Sequence, residues 1–298
     1  RSSALERGRV LVRCASHHSK VRLTFVGRKK NDPPDRAFMM ARVARTERIS
    51  PTCVRLTLDG VDGLEARGVD HWCRLFFARQ GQDVLALPSS TTEIGWYLQY
   101  LATPKTRRPW VRAYTMRKVR PDVGEVDIDF VIHAGPDGSI GPAARFALDA
   151  QPGDRVGFLD QGVGFTPDHP HDWTLLIGDE TALPAIAGIC GSLPASARGV
   201  AIIEVPTAGD RQEFTAPPGI DITWVARDES PRDHGRPGEL ALHALTTAAL
   251  PDGDVHAHAI GESGLATGAR RHLVHDRGVP KRHVDFVGYC GHGRAATS

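Results

Sequence analysis

The stretch Arg112-Ala113-Tyr114-Thr115 carries the side chains best suited to chemistry in this 298-residue chain. In an extended strand Arg112 and Tyr114 share one face, and Thr115 projects to the other. A guanidinium can grip a diphosphate through two parallel hydrogen bonds. A tyrosine ring can lie along a flat aromatic cofactor. A threonine hydroxyl can donate to, or accept from, a ring nitrogen. Charge, ring and polar edge together are what a flavin dinucleotide requires. The same residues would also suit an ordinary barrel strand, so the neighbouring segments decide between the two.

A second segment points the same way. A glycine-rich turn ending at Gly141 leads into Pro142-Ala143-Ala144-Arg145-Phe146-Ala147-Leu148. Pro142 suits the first position of a helix. The free N–H groups of that helix start would favour an anion.

Composition removes several other function classes. Hydrophobic residues make up 41% and charged residues 24%, which suits a soluble globular protein. A formal charge of +2 gives nucleic-acid binding no support. No apolar run reaches the ~18 residues of a membrane-spanning helix, so no membrane insertion is expected. The five cysteines (Cys14, Cys53, Cys73, Cys190, Cys290) form no C-x-x-C, which argues against an iron–sulfur cluster or a cysteine zinc site. Sparse, unpatterned cysteines suit a reducing compartment, so a cytoplasmic location is expected. The histidine pairs His17-His18, His169/His171 and His256/His258 add no third ligand at a workable spacing, and no protein-held metal is expected.

The elements that must position these residues fall into two halves. Residues 1–36 are basic and irregular and read as a tail. Residues 37–165 hold short alternating strands near 41–46, 53–58, 74–77, 112–117, 126–133 and 155–159, with a polar excursion over 79–108. This pattern predicts an N-terminal antiparallel Greek-key β-barrel. Residues 172–298 change period. Trp173–Ile177 is a nearly continuous apolar run, as a buried parallel strand should be. Gly178-Asp179-Glu180-Thr181 then reads as the cap of a helix reaching about Ser192. Strands follow at 200–205, 220–226, 255–260 and 283–287, with helices at 237–250 and 263–277. Strand–helix alternation predicts a doubly wound parallel-sheet α/β domain.

Four motifs, in order and on the correct halves, resemble the siderophore-interacting protein family, whose architecture is ferredoxin-reductase-like. They are Arg112-Ala113-Tyr114-Thr115-Met116-Arg117; Asp127 to His133 followed by Gly141-Pro142-Ala143-Ala144-Arg145; Gly178-Asp179-Glu180-Thr181-Ala182-Leu183-Pro184-Ala185-Ile186; and Gly261-Glu262 with Arg270-Arg271-His272-Leu273-Val274. The resemblance covers roughly residues 38–294.

The resemblance implies an FAD-binding enzyme that reduces ferric siderophores with electrons from NAD(P)H or ferredoxin. Under it, Arg112 holds the pyrophosphate, and Ala113, Tyr114 and Thr115 run along the isoalloxazine. His133, Gly141, Ala143 and Ala144 follow the diphosphate and ribityl chain. Many relatives have Ser and Trp where this chain has Ala144 and Phe146, which moves a phosphate contact onto Ser139. Asp179, Thr181 and Ala182 sit near the adenine end, and Glu262 sits where the nicotinamide enters. Basic residues crowd the C-terminal part, and Arg270, Arg271, Lys281 and Arg282 are the expected contacts of an anionic ferric siderophore. Two other readings remain open on the residues alone. One is a flavin or ferredoxin-type NAD(P)H oxidoreductase of the same architecture. The other is a flavin- or siderophore-binding module without turnover.

Overall fold

The computed structural model describes residues 37–79, 81–82, 84–133, 138–231 and 236–290. The basic stretch 1–36, the turn 134–137 and Arg294 lie outside them. Six strands form the N-terminal half: β1 (Phe38–Ser50), β2 (Cys53–Asp59), β3 (His71–Phe77), β4 (Trp110–Arg120), β5 (Glu125–Val131) and β6 (Arg155–Val163). They close into a barrel in the order β1-β2-β5-β4-β3-β6, and every neighbouring pair is antiparallel.

Alternation explains the two barrel surfaces. Leu56 pairs with Ile128 and Leu58 with Val126, and all four are fully buried inside. On the opposite face of the same strands, Arg55 pairs with Asp129 and Thr57 with Asp127. Arg55 Nε donates to Asp129 at 2.6 Å, and Thr57 Oγ1 donates to Asp127 at 2.7 Å. Cross-strand pairs of this kind hold the register.

Two helices interrupt the strand run. The excursion 79–108 is not merely a loop, for it contains α1 (Glu93–Ala102), with Thr92 as its N-cap accepting from the Gly95 N–H. Trp96 and Tyr100 bury one side of α1 against Phe76, while Ile94 and Leu98 on the other side stay exposed. Apolar residues on both faces hid the helical period. The second helix, α2 (Pro142–Asp149), starts at the expected proline. Its Ala144 and Ala147 point inward, and Phe146 stacks on Phe77 of β3 with ring centroids 5.1 Å apart. The helix therefore closes one end of the barrel.

The second half is a five-stranded parallel sheet in the order β11-β10-β7-β8-β9. Its strands are β7 (Trp173–Gly178), β8 (Arg198–Val205), β9 (Gly219–Ala226), β10 (Val255–Glu262) and β11 (Val284–Cys290). Every residue of β7 is buried, as its apolar run implies. One face packs Leu176 and Ile203 against α3 (Leu183–Ser192). The other packs Leu175, Ile177 and Ile202 against α4 (Glu239–Thr247) and α5 (Ser263–Arg271). Pro237 is not at the first helical position of α4. Gly238 precedes the helix in a left-handed conformation, at φ 89°.

Hydrogen bonds join the halves. Asp210, after β8, accepts from Ser50 Oγ at 2.6 Å, Thr52 N at 2.8 Å and Thr52 Oγ1 at 2.9 Å, all from the β1–β2 turn. Its other oxygen accepts from Thr207 N and Oγ1. Burial would raise the Asp210 pKa, but these donors, Ser50 first, hold it below the usual carboxylate value.

Candidate functional site

Arg112 and Tyr114 lie on the face of β4 that pairs with Leu75 and Cys73 of β3. Tyr114 packs against the Phe130 ring, with centroids 4.3 Å apart, and burial pushes its phenol pKa up. Tyr114, Ala143 and Phe146 pack on the same barrel core, and α2 contacts β4 as well as β2 and β5. Arg112 is half-buried. One of its guanidinium nitrogens donates to the Val111 carbonyl at 2.7 Å, and it ion-pairs with no carboxylate among the described residues. Arg55 and Arg120, on the same barrel, are held by Asp129, Asp127 and Glu125.

The start of α2 is equally uncommitted. Gly141 is its N-cap, no side chain caps it, and a Cβ at Gly141 would meet nothing within 4 Å. The N–H groups of Ala143 and Ala144 lie in the first turn and have no intrahelical partner. Ala144 turns its methyl inward, 7% exposed, so only its backbone can serve a ligand. Ser139 and Gly141 are exposed. Ala113 is also exposed and opposes Arg74 across the β3–β4 ladder. A guanidinium without a carboxylate partner and an open, uncapped helix start on the same barrel each suit the diphosphate of a flavin dinucleotide.

The second part of the site lies at the carboxyl ends of the parallel strands. Sheet order reverses between β7 and β10, which is where open α/β sheets form their ligand crevice. Asp179 follows β7 and Glu262 ends β10. Asp179 is fully buried, and its oxygens accept from Thr181 N at 2.9 Å, Thr181 Oγ1 and the Glu262 backbone N–H. Burial pushes its carboxyl up to about 7, with neighbouring Glu180 adding to the rise and the Thr181 and Glu262 donors opposing it. The carboxylate of Glu262 accepts from the N–H groups of Gly264 and Leu265 and so caps α5.

This geometry corrects two expectations. Asp179 does not cap α3, whose N-cap position is Ala182. Asp179 and Glu262 were expected at opposite ends of a dinucleotide, yet adjacent in-register strands set them side by side.

The basic cluster lies elsewhere in the fold. Lys281 and Arg282 precede β11, at the amino ends of the strands. About 20 Å of strand separates them from the level of Glu262, at ~3.3 Å per residue. Arg270 and Arg271 end α5, which begins at the crevice and runs away from it for about 12 Å. Arg270 lies over the Phe286 ring at 4.5 Å. The four lie away from the carboxyl ends of the strands, so a substrate seated in the crevice would not meet them there.

Other polar residues that converge near the crevice carry little sequence signal. Arg227 donates to Glu180 at 2.7 and 2.9 Å and to Glu204 at 2.7 Å. Buried Glu204 also accepts the Gly238 and Ala241 N–H groups at the start of α4. His133 lies 3.7 Å from Glu180, at the seam between the halves. Asp70 meets Thr115, Tyr289 and His258 inside that seam. At the far end of the sheet, His169 Nε2 lies 3.2 Å from His256 Nδ1, and His169 stacks on His283. Among the described residues, no group of three or more ligating side chains could hold a metal ion.

A closed antiparallel barrel with a capping helix, followed by a parallel sheet with its crevice at the switch point, is the ferredoxin-reductase-like fold. The chain belongs to the siderophore-interacting protein family. Residues 42–164 match the siderophore-interacting FAD-binding domain, and residues 171–293 match the siderophore-interacting protein domain. The chain is similar to the crystal structure of a siderophore utilization protein from T. fusca. Identity is 32% and the TM-score 0.73, over 88% of this chain and 96% of that one. It is 28% identical over 256 residues to the ferric vibriobactin reductase ViuB of Vibrio cholerae, covering 84% of this chain and 88% of the relative. It is 31% identical over 206 residues to the NADPH-dependent ferric-chelate reductase of Escherichia coli, covering 67% and 75%. No helix among the described residues is long and apolar enough to cross a membrane.

Proposed function

We propose that the protein reduces ferric siderophores through bound FAD, with NAD(P)H or ferredoxin as the electron source. Residues 37–165 hold the flavin, and residues 172–298 receive the donor. The observation that carries this reading is the Arg112 guanidinium, with no ion-pair partner among the described residues, on a strand that the uncapped helix α2 also contacts. The names of the Vibrio and Escherichia relatives support the substrate class.

Bound FAD would supply the exchange of a hydride pair for single electrons that ferric iron needs. The chain's own residues do the rest. Arg112 and the N–H groups of Ala143 and Ala144 neutralise the diphosphate. Ser139 and His133 border the same groove. Tyr114 and Thr115 set the ring against β4, with Ala113 contributing backbone. On the α/β side, Asp179, Thr181, Ala182 and Glu262 shape the floor where the donor approaches. Reduced iron is softer than ferric iron and binds hard oxygen ligands less well, so it leaves the chelate.

The test uses purified protein and added FAD. Tight binding is expected, followed by bleaching with NADH or NADPH and faster reoxidation with a ferric tris-catecholate. Arg112→Ala should weaken FAD binding roughly tenfold to a hundredfold, the effect of losing ~1.5–3 kcal/mol of charge-assisted contact. Equal flavin affinity in wild type and variant would remove the anchor. Bleaching without any response to the chelate would leave a flavin oxidoreductase of another kind.

A further inference from the structure

Asp70 is a buried carboxylate that the proposed reaction does not use. The loop before β3 reaches it through a left-handed run, with φ 63° at Gly68, 29° at Val69 and 48° at Asp70. Non-glycine residues adopt this backbone rarely, and strain of this kind persists where surrounding contacts hold it. Here the result is a carboxylate with no exposed surface, aimed into the seam between the two halves. One oxygen accepts from Thr115 Oγ1 at 3.2 Å and from the Tyr289 hydroxyl at 3.5 Å. The other lies 3.5 Å from Nε2 of fully buried His258. Strands β4, β10 and β11 thus meet on one side chain.

A threonine hydroxyl has a single proton and two lone pairs. That of Thr115 is directed at Asp70, so Thr115 has only lone pairs to turn toward another neighbour. We propose that Asp70 is a positioning residue that makes Thr115 a hydrogen-bond acceptor toward the flavin, and so favours the reduced ring over the oxidised one. This rests on the reading of Arg112-Ala113-Tyr114-Thr115 as the flavin strand. Reduced flavin carries a proton on the central-ring nitrogen at which oxidised flavin has a lone pair. A lone pair facing N–H attracts, whereas a lone pair facing a lone pair repels. Without Asp70, the Thr115 hydroxyl can rotate and donate instead.

The negative charge of Asp70 acts on the flavin in the opposite sense through space, so one substitution mixes two effects. A double-mutant cycle separates them. The midpoint potential of the FAD-loaded protein is measured for wild type, Asp70→Asn, Thr115→Val and the double variant. Asn tolerates the left-handed backbone of position 70 better than most residues. Should Asp70→Asn still fail to fold, Asp70→Gly, which suits the left-handed backbone, takes its place in the cycle, and Thr115→Ser against Thr115→Val isolates the hydroxyl. Serine should hold the potential and valine should lower it. In the cycle, the Asp70→Asn shift should be more negative with Thr115 present than with valine there. The expected difference corresponds to about tenfold in relative affinity for reduced and oxidised FAD, or ~30 mV for a two-electron couple. Equal shifts in both backgrounds overturn the proposal and leave Asp70 as a bare charge. A wild-type protein that binds no FAD overturns the functional reading itself, and this inference with it.

Discussion

The backbone N–H of Glu262 donates to the carboxylate of Asp179, joining the carboxyl ends of β10 and β7 where the sheet order reverses. Gly261 makes this approach possible. Its φ is 119°, and a Cβ there would sit 2.6 Å from Asp179 Oδ2. Gly261→Ala should therefore cost about 1–3 kcal/mol from backbone strain alone. Urea denaturation should show the loss, and an unchanged midpoint would mean that the crevice floor yields easily.

Asp179 gives stability a pH dependence of unusual sign. Its folded pKa of about 7 lies above the unfolded value of 3.8. The folded state therefore binds more protons between these values, and stability falls as pH rises from about 4 to 7. The full effect is on the order of 4 kcal/mol, at 1.36 kcal/mol per unit. Asp179→Asn should remove this slope even though it weakens the bonds to Thr181. An identical slope in the variant would show that Asp179 stays ionised across the range.

His256 works in the other direction. Burial first, then the neighbouring His258, His169, His171 and His283, lower its pKa from 6.5 to about 3. The unfolded chain binds the extra proton between these values, so stability is lost as pH falls from about 6.5 to 3. His283 is shifted in the same sense. Between pH 4 and 6.5 the His256 and Asp179 slopes oppose each other. His256→Gln should unmask the falling Asp179 slope in denaturation curves taken across that window. A variant that stays as acid-sensitive as wild type would place the acid response elsewhere.

Asp210 is the tie between the β1–β2 turn and the α/β half. Asp210→Ala strands the donors of Ser50, Thr52 and Thr207. The expected cost is about 2–4 kcal/mol. More tellingly, calorimetry should resolve two unfolding transitions where wild type shows one. A single sharp transition in the variant would mean that the rest of the seam suffices to couple the halves.

The alternating strands and the apolar run at Trp173 were legible because side-chain period and burial coincide there. Helix α1 was not, because Ile94 and Leu98 face outward while Trp96 and Tyr100 face in. The candidate flavin-strand residues could be proposed locally, since Arg112, Tyr114 and Thr115 fall within four positions. Asp70 and Asp210 could not. Asp70 acts on Thr115 from 45 residues away, and Asp210 on Ser50 from 160. A Thr207-x-x-Asp210 capping box was the one local hint of the latter. The place of the basic residues was not legible, because clustering in sequence says nothing about which end of a parallel sheet they occupy. Lys281 and Arg282 fall one strand length from the crevice.

Helix α2 is the stopper of the barrel, through the Phe146–Phe77 stack and the inward Ala144 and Ala147, and its first turn is where the proposed function seats the diphosphate. Occupancy at its first turn should therefore steady barrel closure. A hundredfold excess of dinucleotide over its dissociation constant would add about 2.7 kcal/mol to the folded state. That gain should appear as slower amide exchange in β3, β4 and the helix, with β7 to β9 responding far less. The unloaded protein should thus be a tight α/β half carrying a barrel with one loose lid, and a protease should cut at that lid first.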